Sequence, residues 1–196
     1  MDEIKSAREI AQEKISSLGE VTEEERLRWK YVPHGEKLAV RYLNKRIDLT
    51  AELSNYEEKA RKYVIKGAES VLLVNISLPK NDLAKGKNEK AMDGLMNLKS
   101  NRAAVEAVFD NIRHIFDHYS EQGKQQREQA YKSLETEFKT RLQQTIGQQI
   151  GLAGELDISV ENLPQFQEEW QRTLAQLDAQ YINLLDEYKQ ELKGIT

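Results

Sequence analysis

The chain has 196 residues, of which 32% are charged and 7% are aromatic, and its formal net charge is −4. It contains three prolines and no cysteine, which excludes disulfide bridges, thiol catalysis and cysteine-ligated zinc. Because apolar residues recur at helical spacing in a chain with a mean hydropathy of −0.73, the composition predicts long helices with narrow apolar stripes and no thick globular core.

The sequence offers no sign of secretion or of a membrane anchor. Its charged opening, MDEIKSAREI, lacks the apolar segment typical of a signal peptide. The longest wholly aliphatic run, Val71 to Val74, is too short to span a bilayer. We therefore expect a cytoplasmic protein of prokaryotic origin that does not insert into a membrane.

A short amphipathic helix is predicted at the start of the chain and ends at Gly19. Its apolar face is formed by Ile4, Ala7, Ala11, Ile15 and Leu18. The segment IKSAREIAQEKISSLG resembles the N-termini of bacterial helical proteins of unknown function that begin with a KSAxEIAxEK-like sequence. This resemblance implies no activity.

A second helix is predicted to start at Thr22, because Thr22 and Glu25 have the spacing of a capping box. It carries Leu27, Trp29 and Tyr31. Proline disfavours a helical residue before it, and glycine frees the backbone to turn. The run Pro33, His34 and Gly35 is therefore predicted to break this helix.

A third helix is predicted from Glu36 to Leu78, because two sets of residues recur at intervals of seven. They are Tyr42, Leu49, Tyr56 and Tyr63, and on the companion register Leu53, Ala60, Gly67 and Val74. The stretch from 71 to 78 is rich in β-branched residues and also fits a strand, but no second strand is evident for it to pair with. Helix is the favoured prediction up to Leu78 and Pro79.

The polar segment KNDLAKGKN is predicted to be a loop, followed by one very long helix from Asn88 to Ile150. Its stripe is predicted to comprise Leu98, Val105, Phe109, Ile112, Phe116 and Tyr119, and then Tyr131, Leu134, Phe138, Leu142 and Ile146. Gly147, Gly151 and Gly154 are expected to end it.

A final helix follows, with a second capping box predicted at Asn162 and Gln165 and with Pro164 in its first turn. Its predicted apolar stripe comprises Leu163, Phe166, Trp170, Leu174, Leu177, Tyr181, Leu184, Tyr188 and Leu192. We expect Phe166 and Trp170 to lie in a core.

These elements predict an all-α fold, an elongated antiparallel coiled-coil hairpin on a three- to four-helix bundle base. The chain is interpreted as a single elongated unit, 1–196. Residues 1–35 and 132–196 form the predicted base, and residues 36–131 form the predicted stalk, with its tip at 79–88.

The sequence contains no P-loop, dinucleotide-binding glycine motif, nucleophile elbow, HExxH or ExxH motif. No catalytic residue or cofactor is predicted, and the protein is not expected to be an enzyme. Gly86, between Lys85 and Lys87, is faintly similar to a phosphate-binding loop, but the surrounding pattern is missing, so a solvated basic loop is expected.

One pair of residues has the spacing of metal ligands. His114 and His118 lie four apart with Asp110 nearby, so they could share a metal. On a helix, however, both histidines point roughly opposite to the apolar seam, and no third ligand is evident. A solvated face is favoured over a metal site, and a histidine switch at an interface is the remaining alternative.

Charge is distributed unevenly along the chain. Residues 79–102 contain six basic and three acidic side chains, whereas residues 155–196 contain nine acidic and three basic ones. Alternating charge can simply keep long helices soluble. The functional alternative is that the tip binds an acidic partner through Lys80, Lys85, Lys87 and Lys90.

The sequence best fits a non-enzymatic structural or interaction protein, a scaffold or adaptor whose protein partner is unidentified and which could also form a homodimer. The alternative is a nucleic-acid-associated helical protein that uses the basic tip, although the net negative charge counts against nucleic acid. The third hypothesis is a metal-binding helical protein that uses His114 and His118.

Overall fold

The structure is a computed structural model that describes residues 21–45, 47–150 and 159–195. Throughout these ranges the regular secondary structure is helical and contains no strand, which confirms the all-α prediction. The described residues divide into two compact units, which belong to 1–73 and 74–196. The predicted helix before Gly19 lies outside the described residues.

The first unit contains α1 (Glu23–Asn44), α2 (Leu49–Ser54) and all of α3 (Glu58–Val74) except its last residue. The second contains α4 (Asp82–Leu98), α5 (Arg102–Ile150), a short 3-10 helix (Val160–Asn162) and α6 (Pro164–Gly194). Among the helices that the structure describes, none combines the length and the apolar character needed to cross a membrane.

The start of α1 confirms the first predicted capping box. The Thr22 hydroxyl accepts a hydrogen bond from the Glu25 amide at 3.2 Å, and the Glu25 carboxylate accepts one from the Thr22 amide at 2.9 Å. The Thr22 amide, followed by the Thr22 hydroxyl, lowers the pKa of the Glu25 carboxyl group. The local spacing was therefore sufficient to locate this helix start.

The predicted break at Pro33, His34 and Gly35 is wrong, because α1 continues through all three residues. Gly35 instead marks a close contact between α1 and α3. A Cβ atom at Gly35 would lie 1.9 Å from the Val64 carbonyl oxygen, and one at Gly67 would lie 2.0 Å from the Val32 carbonyl oxygen. The two backbones meet because both positions lack a side chain, and Pro33 interrupts the helical hydrogen bonding without ending the helix.

The predicted third helix from Glu36 to Leu78 is also wrong, since the structure replaces it with the end of α1, all of α2 and α3. Asp48 starts α2 by accepting hydrogen bonds from the Thr50 and Ala51 amides at 2.9 and 3.1 Å. The predicted seam residues are mostly buried across these breaks, as Leu49, Leu53, Ala60 and Tyr63 are. Periodicity therefore identified the buried face but not the turns.

The segment from 71 to 78 is helical only as far as Val74. Beyond it, Asn88 from α4 holds the chain in place. The buried Asn88 side chain accepts a hydrogen bond from the Ser77 amide at 2.9 Å and donates one to the Ser77 carbonyl oxygen at 2.7 Å. One amide thus satisfies both backbone groups of Ser77.

The polar loop predicted ahead of Asn88 is largely helical, because α4 already begins at Asp82. Asn81 caps it by accepting a hydrogen bond from the Ala84 amide at 2.9 Å.

The long helix predicted from Asn88 to Ile150 is interrupted at residues 99–101. There Asn101 accepts a hydrogen bond from the Ala104 amide at 3.2 Å, which starts α5. This three-residue turn folds α4 back against α5.

Helices α5 and α6 pack antiparallel. Tyr119 contacts Tyr181 with their ring centroids 5.2 Å apart, Phe138 contacts Phe166 at 5.3 Å, and the Lys99 ammonium group donates a hydrogen bond to the Ile195 carbonyl oxygen. The predicted stripes account for most of the buried contacts, which include Val105, Phe109, Ile112, Leu134, Phe138, Phe166, Tyr181 and Leu192.

The last helix corrects two further predictions. Leu163, without a side-chain cap, precedes α6, so the capping box predicted at Asn162 and Gln165 does not form, although Pro164 is the first helical residue as expected. Leu184 is 45% exposed, and its neighbour Leu185 is buried instead. The predicted stripe was one residue out of register at this point.

The predicted placement of Phe166 in a core is confirmed. Phe166 is fully buried with Leu134, Phe138 and Val160, and Trp170 packs against this cluster as a half-buried side chain. The predicted division into base and stalk stays a prediction, because parts of that base, 1–20 and 151–158, lie outside the described residues.

Replacing Gly67 with Ala should lower the free energy of unfolding by about 1–3 kcal/mol, since the new methyl group would force α1 and α3 apart. Gly86 is the matched control. It also lies in a helix, but a Cβ there would meet nothing within 4 Å, so Gly86→Ala should stabilise the protein by about 0.5–1 kcal/mol. Urea unfolding of both variants measures the difference. Equal stabilisation by the two would contradict the close crossing at Gly67.

Candidate functional site

An ion pair joins the segment ahead of α4 to the middle of α6. The Lys80 ammonium nitrogen lies 2.6 Å from Asp178 Oδ2, and Asp178 is only 4% exposed. The sequence analysis placed Lys80 at a basic tip and Asp178 in an acidic base. The structure brings these two charges together, so Lys80 has a partner within the chain.

Tyr119 and Arg127 of α5 lie beside this ion pair. The Arg127 guanidinium group stacks on the Tyr119 ring at 4.1 Å and donates a hydrogen bond to the Tyr119 carbonyl oxygen at 3.2 Å. Burial and then the negative charge of Asp178 raise the pKa of the Tyr119 hydroxyl from 10.0 to about 12. This hydroxyl is therefore a neutral hydrogen-bond donor at neutral pH.

The four lysines predicted to bind a partner do not form one patch. Lys80 is paired with Asp178, and the Lys85 ammonium group lies 3.4 Å from the Asp82 carboxylate. At about 100° per residue, Lys85 and Lys87 point to nearly opposite sides of α4. Lys87 and Lys90 lie on the same side as Leu83, which is 71% exposed. Lys80 and Lys85 thus pair with aspartates of the chain, whereas Lys87 and Lys90 lie on the side of α4 that carries Leu83.

The two histidines lie along one cleft beside α6. Both histidines are exposed, and His118 Nδ1 lies 2.9 Å from the Tyr181 hydroxyl on α6. Asp110 forms an ion pair with Arg113 at 2.7 Å. In the ranges that the structure describes, no group of three histidine, aspartate or glutamate side chains is arranged to hold a metal. His118 packs against a neighbouring helix, which the sequence analysis did not predict.

The sequence analysis missed an apolar surface of the first unit, because it counted Trp29 only among the apolar residues of the second predicted helix. Trp29 is 64% exposed and Val40 is 47% exposed, and Pro33 and Glu36 between them are exposed as well. These four residues share one face of α1, which we call the Trp29 face. A row of exposed basic residues follows one edge of this face and comprises Arg26, Lys30 and Lys37.

Comparison with known proteins identifies a family but no function. Residues 50–194 match the model of a family of unknown function, DUF6657. No curated protein and no solved structure matches the chain.

Replacing Lys80 with Met should lower the free energy of unfolding by about 1–3 kcal/mol, because it leaves the buried Asp178 carboxylate without its cation. The lower part of this range is expected, since the Lys80 side chain is itself 59% exposed. Lys87→Met removes an exposed lysine seven residues away and should change stability by less than about 0.5 kcal/mol. Urea unfolding compares the two, and indistinguishable midpoints would mean that the ion pair contributes nothing.

Proposed function

We propose that this chain, which belongs to the family of unknown function DUF6657, is a non-enzymatic helical interaction protein, a scaffold or adaptor. The observation that carries the proposal is the exposed Trp29 face. Tryptophan is enriched among the residues that dominate binding energy at protein interfaces, and its large apolar surface is favourable to cover. An exposed tryptophan and valine on one helical face therefore support a docking surface.

The partner that we propose for the Trp29 face is an acidic amphipathic helix of another protein. The exposed basic row beside the face favours acidic side chains along one edge of the partner. From Trp29 to Val40 the face extends about 16 Å, which is about three turns of a partner helix. Glu36 lies within the face, and its carboxylate requires a hydrogen-bond donor from the partner. A partner helix with a polar side chain opposite Glu36 would therefore fit better than a uniformly acidic surface.

The predicted hairpin of residues 36–131 lacks its first helix, because no continuous helix runs from Glu36 to Leu78. We propose instead an elongated architecture in which α5 and α6 are the antiparallel helices. Helix α5 has 49 residues and supports this proposal, because it is about 74 Å long. A compact domain of 196 residues would have a radius of gyration of about 16 Å. We expect small-angle X-ray scattering to give a clearly larger radius. A value near 16 Å would contradict the elongated architecture.

The other two hypotheses have less support. Binding of nucleic acid through the predicted tip loses one of its four lysines to the ion pair with Asp178. Binding of metal by the histidine pair competes with the contact between His118 and Tyr181. Neither hypothesis has an additional observation in its favour.

The Trp29 face can be tested by fluorescence, because the chain has only two tryptophans. Trp170→Phe leaves Trp29 as the single reporter, and we expect acrylamide to quench it efficiently in the free protein. An amphipathic peptide of Glu and Leu at helical spacing should protect Trp29, whereas a matched peptide of Lys and Leu should not. Trp29→Phe is the control. Its remaining tryptophan, Trp170, is half-buried, and the peptides should not change the quenching of Trp170 by acrylamide.

Substitution of Lys30 and Lys37 by Glu should abolish protection by the Glu and Leu peptide and leave the circular dichroism spectrum unchanged. Protection of Trp29 in the free protein at every concentration would show that another part of the chain covers it. Protection that increases with protein concentration would show that a second copy covers it. Either result would contradict docking of a separate partner on this face.

A further inference from the structure

The cleft that contains His114 and His118 lies between α5 and α6 in the second unit and has a volume of about 390 Å³. In a chain of which 32% is charged, none of the nine described residues that line this cleft is an aspartate, glutamate, lysine or arginine. Ile115, Leu184 and Tyr188 form its apolar part, and Leu184 is 45% exposed. The cleft therefore presents accessible apolar surface within an uncharged lining.

The uncharged surface continues along α5 beyond the cleft. At about 100° per residue, six exposed side chains of α5 fall within about 60° of one direction. They are Asn111, His114, His118, Gln122, Gln125 and Gln129. Charged side chains of α5 begin just outside this sector, at Asp117 and Glu121. We call this row, together with Ile115 of α5 and with Leu184 and Tyr188 of α6, the neutral face.

The uncharged character of the neutral face indicates what can cover it. A strongly acidic or basic partner would meet no opposite charge there. In a two-fold contact, residues near the axis meet the same residues of the second copy, so like charges near the axis repel. Amide side chains carry both donors and an acceptor, and two identical amides can therefore pair. The neutral face is thus suited to contact its own copy, whereas the Trp29 face, with its basic row, is not.

The neutral face is also large enough for a dimer. Residues 111–129 extend about 27 Å along α5, and α5 and α6 side by side are about 20 Å across. Two such faces in contact would bury on the order of 1,000 Å², which is near the lower limit for a specific protein interface. We therefore expect a reversible dimer of moderate affinity.

We propose that this chain forms a homodimer in which the neutral faces of two copies pack together about a two-fold axis. Ile115 and Leu184 supply the apolar centre of the interface, and the glutamines of α5 supply hydrogen bonds between the copies. The proposal is independent of the Trp29 face, which lies in the first unit, and either can fail without the other.

Analytical ultracentrifugation of the full chain at increasing protein concentration tests the dimer. We expect the mass to rise from 22.7 kDa toward twice that value as the concentration approaches about 100 μM. The dimer should persist in about 0.5 M salt, because salt screens contacts between charges and leaves contacts between uncharged groups intact. A monomer at every concentration would overturn the proposal. Dissociation by salt would show that charged surfaces join the copies and would equally overturn it.

Leu184 and Ile182 provide a matched pair of variants on α6. Their side chains are 45% and 43% exposed, but of the two only Leu184 lines the cleft. Leu184→Glu should weaken the dimer at least about tenfold, because it places a carboxylate against an apolar surface, whereas Ile182→Glu should leave the dimer unchanged. Equal effects of the two variants would overturn the assignment to the neutral face. Because a dimer also has a larger radius of gyration, X-ray scattering from Leu184→Glu reports the shape of the monomer.

A second pair of variants tests the glutamines of α5. Gln122→Glu keeps the shape of an exposed side chain and places a carboxylate from each copy within the interface, which should weaken the dimer at least about threefold. Gln190→Glu, an exposed position on α6 outside the cleft, should leave the dimer unchanged. Equal dimer affinities of these two variants would contradict the proposed interface. If circular dichroism shows that Leu184→Glu does not fold, this second pair decides whether the neutral face joins the copies.

Discussion

The buried carboxylate of Asp178 is the constraint on which the arrangement of the second unit depends. A charge that is only 4% exposed is costly unless a cation accompanies it, and Lys80 supplies that cation from the segment ahead of α4. This requirement fixes where α4 begins relative to α6. The same arrangement places Tyr119 and Arg127 beside the pair. This ion pair therefore links the segment ahead of α4 to the middle of α6.

In the first unit the corresponding constraint is steric. Gly35 and Gly67 allow the backbones of α1 and α3 to touch, and this crossing directs the inner face of α1 toward α3. The opposite face, with Trp29 and Val40, is then left exposed. The surface proposed for a partner is thus a consequence of how the two helices cross, since a helix pair this close can cover only one face of α1.

Periodicity predicted which faces are buried better than it predicted where helices end. Ile112 and Phe166 are buried as expected, and the spacing of Thr22 and Glu25 correctly located the start of α1. The turn at residues 99–101 was missed, because Lys, Ser and Asn contain no strong helix breaker and the capping by Asn101 is a weak signal. A capping residue favours the end of one helix and the start of the next, whereas a continuous apolar stripe favours one uninterrupted helix. The stripe alone does not show which of the two forms.

The candidate sites were less predictable than the fold. Asp178 was counted only among the acidic residues of 155–196, although it lies four residues after Leu174 and three before Tyr181, which places it on the apolar stripe. That spacing was the available signal. Its pairing with Lys80 joins residues 98 positions apart, and a single sequence contains no information on such a contact.

A double-mutant cycle on this ion pair tests the central claim most directly. Asp178→Asn, introduced into the Lys80→Met variant, removes the charge that has lost its partner and should restore part of the lost stability. We expect a coupling energy of at least about 1 kcal/mol between the two positions by urea unfolding. Effects that add within about 0.3 kcal/mol would show that Lys80 and Asp178 act independently, and would contradict the claim that this ion pair fixes where α4 begins relative to α6.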